Sequence, residues 1–174
     1  HAAFRQGAAF AKNTAMVPVE EPYDLVITTN SGYPLDLNVY QSIKGLSAAT
    51  QIVKQGGEIL ICAECWDGIP AGSDYEKMLN AAEDVESLYE FVKANEQALQ
   101  DTWQGFYHVL VMRKAKVHFY SDKLDNETIR RCLFEPVEDP SKTVREILAR
   151  MGSGASICVL PEGPQTIPYL TSKP

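Results

Sequence analysis

Apolar residues follow two rhythms along the chain, short continuous runs and stripes at helical spacing, and the two alternate. Residues 24–29 (DLVITT), 58–65 (EILICAEC), 116–121 (KVHFYS) and 155–160 (ASICVL) are short apolar runs, rich in β-branched side chains and bounded by turn residues. That pattern predicts four buried strands. Between them lie helical stripes. Asp36 is placed to cap a helix that runs to about Val53, with Leu35 and Tyr40 as its staple and Gly56-Gly57 as its stop. Ser73 and Glu76 form a capping box for one long acidic helix through Val92, and a further helix covers 99–114. On that last helix Trp103, Phe106, Tyr107, Leu110 and Val111 share a side and read as core packing. Asp125 caps a short helix, and Asp139-Pro140 is a cap followed by proline at the first helical position. Alternating strands and helices predict one α/β domain, a three-layer, mostly parallel sheet flanked by helices in a Rossmann-like arrangement. Residues 1–13 read as a helix already under way, which suggests a piece of a longer protein.

Composition narrows the function classes. The 174 residues carry 16 basic and 23 acidic side chains, a net charge of −7, so a nucleic-acid partner is disfavoured. No run of about 18 apolar residues is present, so no membrane helix is predicted. Cys62, Cys65, Cys132 and Cys158 are too sparse for a disulfide scaffold and suit a reducing, cytoplasmic setting. Cys62 and Cys65 have the spacing of a metal or redox pair, but zinc needs a second pair, and a thioredoxin-type pair opens a helix instead of ending a strand. His1, His108 and His118 have no partner at useful spacing, so the chain shows no acid–base pair of its own.

The crossing after the first strand, Thr29-Asn30-Ser31-Gly32-Tyr33-Pro34-Leu35-Asp36, lacks the G-x-G-x-x-G fingerprint. The helix it opens is more informative. Val39, Ile43, Leu46, Thr50 and Val53 form the stripe that packs on the sheet, while Tyr40, Gln41 and Lys44 fall on the other side. A lysine in the first turns opposes the helix dipole, and an anion bound there gains from ammonium and helix N-terminus together. Gln41 adds a hydrogen-bonding amide. The trio is a candidate site for a small carboxylate; the same residue types also suit a solvated helix face. Trp103 is the candidate wall of such a cleft.

The segment Gly32-Tyr33-Pro34-Leu35-Asp36-Leu37-Asn38-Val39-Tyr40-Gln41-Ser42-Ile43-Lys44-Gly45 resembles the C-terminal domain of the nickel-dependent lactate racemase family. Pro18-Val19-Glu20-Glu21-Pro22, Ala63-Glu64-Cys65 with Asp67-Gly68, and Trp103-Gln104 continue the likeness over most of the chain. The resemblance implies a two-domain isomerase that inverts the α-carbon of a 2-hydroxy acid. It implies a nickel-pincer nucleotide, bound mainly by an N-terminal domain, that takes up a hydride while a histidine removes the hydroxyl proton. It places Tyr40, Gln41 and Lys44 in the cleft, the last two on substrate, and matches the family's cleft tryptophan to Trp103. The family's metal-binding and proton-transfer histidines and its cofactor-tethering lysine have no counterpart here. Residues 1–174 are thus expected to be a C-terminal domain, inactive alone, with the N-terminal domain and a small 2-hydroxy acid as partners. A stand-alone α/β module binding a nucleotide or carboxylate is the alternative, and a Cys-based metal or redox domain is a third reading.

Overall fold

The apolar run around Leu25 and Val26 is the centre of a five-stranded, wholly parallel sheet. In the computed structural model, which describes residues 1–171, the elements in chain order begin with α1 (Ala2–Ala15), β1 (Met16–Val19), β2 (Tyr23–Thr29), α2 (Val39–Thr50) and β3 (Val53–Cys62). Next come α3 (Asp74–Asn80), α4 (Val85–Ala94), α5 (Thr102–Lys114) and β4 (Ala115–Tyr120). The chain ends with α6 (Asn126–Arg131), β5 (Glu135–Val137), α7 (Pro140–Met151), β6 (Ile157–Leu160), a short 3-10 turn and β7 (Ile167–Leu170). The sheet order is β5-β4-β3-β2-β6, and β1 pairs separately with β7. The expected class, a mostly parallel sheet flanked by helices, is the one found.

The helices load the two faces unequally. One face buries Val26, Ile59, Ile61, Val117 and Phe119 against α2 to α6. The other buries Leu25 and Leu60 under Ile147 of α7. Beside them Glu58 accepts from Arg150 of α7 at 2.8 and 3.2 Å and faces His118 Nε2 at 2.5 Å. An ion pair thereby closes the thinner face.

Several expectations are corrected. The cap of α2 is Asn38, whose side-chain oxygen accepts the Gln41 N–H at 3.0 Å; Asp36 lies in the preceding turn and accepts the Glu64 N–H instead. Gly56 and Gly57 do not stop a helix. They lie inside β3, where a Cβ on Gly57 would stand 2.9 Å from the Asp24 carbonyl. The long acidic helix is two, because Asp84 and Ser87 cap each other reciprocally and restart the chain at α4. Cys65 lies beyond the end of β3, in a left-handed loop conformation at φ 56°. Strands β1, β5 and β7 were not expected; each is short and carries a proline (Pro18, Pro136, Pro168), a residue that suits the margins of sheets.

The largest correction concerns α5. The residues it buries are Gln104, Gly105, His108, Val109 and Val111, while Trp103, Tyr107 and Leu110 are exposed. Gly105 explains the inversion. A Cβ there would stand 2.6 Å from Val92 and 2.8 Å from Met78, so this helix side approaches α3 and α4 too closely for bulky residues.

Candidate functional site

Helix α2 is packed on nearly all sides, and Lys44 is its one exposed residue. The Lys44 ammonium donates to Gln41 Oε1 at 2.6 Å. Because an ammonium only donates, the Gln41 atom facing it is the oxygen, which leaves the amide N–H groups for a ligand. Lys44 and Gln41 therefore present hydrogen-bond donors together, one of them charged, within the first two turns of a helix. A carboxylate has the complementary character, accepting at both oxygens and gaining from the helix N-terminus.

Tyr40 borders this pair as part of an aromatic wall. Its ring stands edge-on to Trp103 at 6.1 Å and to Tyr75 at 5.5 Å, and Trp103 meets Tyr107 at 6.1 Å. Offset edge contacts of this kind are favourable for aromatic pairs. Gln104, buried on α5, donates its side-chain N–H to the Tyr40 carbonyl and ties α5 to α2. Ile43, Lys44, Ser47, Trp103, Gln104 and Tyr107 enclose an open cavity of about 240 Å³. The structure thus brings Lys44 and Trp103 to one cavity; Tyr40 and Gln41 do not line it, but touch Trp103 and Lys44 respectively.

Asp101 was missed in the sequence, and Tyr107 was read there as core packing, whereas it is exposed and lines the cavity. The Asp101 carboxylate accepts from Trp103 Nε1 at 3.2 Å. Burial, and then the charge and hydrogen bond of Asp101, hold the Tyr40 hydroxyl above its ordinary pKa. The only sequence signal for Asp101 is an acidic residue just ahead of Trp103 at a helix start.

Behind the wall lies a buried polar chain. His108 Nε2 is 3.0 Å from the Cys132 carbonyl, an acceptor only, so that nitrogen carries the hydrogen. Its Nδ1 then accepts from the Tyr75 hydroxyl at 2.8 Å. Burial pushes His108 down to about 4, so it is neutral near pH 7. The ring also stacks on Phe134 at 4.8 Å. His118 is committed to Glu58 under α7, and neither histidine lines the Lys44 cavity.

The carboxyl ends of the strands, a common ligand position in open α/β sheets, form a second cavity of about 270 Å³. Asp36, Glu64 and Asp122 line it, a charge character that repels acids. Of these two places, the donors that suit an acid therefore lie on α2. Burial pushes the Cys65 and Cys132 thiols up to about 12, which leaves them unreactive as thiolates. Among the described residues no group of three or more His, Cys, Asp or Glu side chains is arranged to hold a metal ion.

Residues 19–167 match the family described as lactate racemase C-terminal domain. The chain is 29% identical over 164 residues to a lactate racemase of Thermoanaerobacterium thermosaccharolyticum, covering 93% of this chain and 38% of the relative. It is 30% identical over 163 residues to a lactate racemase of Lactiplantibacillus plantarum, again covering 93% and 38%. The chain thus spans well under half the length of these relatives. The lactate racemase apoprotein from T. thermosaccharolyticum superposes with a TM-score of 0.86 at 29% identity, over 95% of this chain and 40% of that one. A Thermotoga maritima protein, with a TM-score of 0.64 at 12% identity over 97% and 42%, shares the fold.

Proposed function

Since the chain belongs to the lactate racemase C-terminal domain family, we propose that it is the substrate-cleft lobe of a two-domain racemase or epimerase acting on 2-hydroxy acids. The donor pair made by Lys44 and Gln41 carries this reading. In it the two side chains grip the carboxylate of the acid, and Tyr40 and Trp103 wall the cleft beside it. The partner is an N-terminal domain of the same polypeptide. The exposed Phe4 and Phe10 on α1, a helix that buries none of its own residues, support a larger apolar context. Four free cysteines agree with a reducing cytoplasm. Among the described residues no helix is long and apolar enough to cross a membrane.

The residues of this chain do not fit as a cage for the nickel-pincer nucleotide. No group of metal-ligating side chains converges among the described residues, and His108 and His118 are both committed elsewhere. In this proposal the cofactor is bound by the N-terminal domain, this chain binds and orients the acid, and the chain alone is inactive.

The test follows D- and L-isomer interconversion across a panel of 2-hydroxy acids by the full-length protein loaded with the nickel cofactor, and by its Lys44→Ala variant. One acid is expected to be racemised, with kcat/KM falling at least about tenfold in the variant, or about 1.4 kcal/mol of transition-state binding. An active parent with an unchanged variant removes Lys44 from the site. A loaded parent that inverts no acid removes the racemase reading and favours a binding module.

A further inference from the structure

Asp101 occupies the residue just before α5, where an aspartate ordinarily accepts an N–H of the first helical turn. It makes no such bond. Its backbone sits in the left-handed region at φ 56°, which a residue with a side chain rarely adopts. The carboxylate is instead spent on the cleft, accepting from Trp103 Nε1 at 3.2 Å, with its charge acting on the Tyr40 hydroxyl, whose ring stands edge-on to Trp103 at 6.1 Å. One side chain thus holds the α5 ring that meets the Tyr40 ring of α2 edge-on. The helices themselves are tied independently by the Gln104 bond to the Tyr40 carbonyl. Loss of Asp101 therefore frees the rings without parting the helices.

We propose that Asp101 is a positioning residue for the acid-binding cleft: its carboxylate clamps Tyr40 and Trp103 edge-on and sets the wall beside Gln41 and Lys44. This rests on the reading of that cleft as a substrate site. With the Trp103 indole N–H bound to it, the carboxylate is kept from offering a bare charge to an incoming acid. The unfavourable backbone is consistent with local strain held at a functional position.

Asp101→Gly is the clean variant, because glycine adopts the left-handed backbone freely and the side chain did not cap the helix. Asp101→Asn retains an acceptor and loses the charge. The first readout is acrylamide quenching of Trp103 in a Trp66→Phe background, where Trp103 is the remaining tryptophan of two. Quenching is expected to rise at least about twofold in the glycine variant and to stay near the parent value in the asparagine variant. The second readout uses the full-length, cofactor-loaded protein. Asp101→Gly should raise KM at least about threefold with kcat within about twofold, and Asp101→Asn should restore KM. Unchanged quenching overturns the clamp, as does a freed Trp103 with unchanged KM. A parent that racemises nothing overturns the substrate-site reading, and the quenching result then still decides whether Asp101 fixes the ring.

Discussion

Single residues on α2 were readable because a helix repeats its faces over short distances. Gln41 and Tyr40 lie three and four positions before Lys44, and the structure keeps Gln41 and Lys44 in contact. Residues whose role depends on distant chain segments were not readable. His108 has no partner near it in sequence, yet folding delivers Tyr75 to one nitrogen and the Cys132 carbonyl to the other. This buried histidine makes a pH prediction. Burial lowers it from 6.5 to about 4, so between those values the unfolded chain binds a proton that the folded chain does not. Stability is then fully present above about pH 6.5 and falls as pH drops toward 4, by about 3 kcal/mol for this group. Glu58 also loses stability with acid. Burial pushes it up, but bonds from Arg150 and His118 outweigh that and hold it below 4.5, so its loss begins near that lower pH. Denaturant titrations between pH 6.5 and 4.5 should therefore show a steep slope in the parent and a much flatter one in His108→Gln. Equal slopes would show that His108 is not the titrating group.

At the scale of elements, interiors were legible and boundaries were not. Capping residues compete, and local sequence does not decide between Asp36 and Asn38; the turn that sends the Asp36 carboxylate to the Glu64 N–H decides it. The apolar stripe continues through the break between α3 and α4, since Tyr75, Met78, Leu79, Leu88 and Val92 are all buried. Periodicity alone therefore reads one helix. Close approach is equally hidden from the pattern. Gly45 lies inside α2, where alanine would ordinarily gain about 1 kcal/mol in helix propensity. A Cβ at Gly45 would stand 2.6 Å from the Thr29 carbonyl of β2, a backbone atom with little room to move. Overpacking of this kind costs about 1–3 kcal/mol. Gly45→Ala should accordingly lower the urea midpoint despite its better propensity, by a net loss of up to about 2 kcal/mol. Gly154→Ala, which meets nothing within 4 Å, is the control and should stay within about 0.5 kcal/mol. A neutral Gly45→Ala would mean that α2 is not seated against β2 as described.

At the scale of the whole molecule, the α/β class followed from the alternation of runs and stripes, because a parallel strand must return through a crossover. The small β1–β7 ribbon did not follow. Its strands come from opposite ends of the chain, and each carries a proline that weakens the strand pattern. That ribbon separates the fold from α1. The 14 residues of α1 bury nothing, and Phe4 and Phe10 remain 79% and 72% exposed. Burial of apolar surface is what makes an element contribute to stability, and a helix of this length is marginal in water without it. Removing residues 1–15 should thus change the unfolding free energy by less than about 1 kcal/mol, measured by urea denaturation of the two chains side by side. A larger loss would mean that α1 packs on the sheet domain in solution. A small one would place Phe4 and Phe10 outside the stability of this domain. Their apolar surface would then be free to serve the contact with an N-terminal domain that the racemase proposal requires.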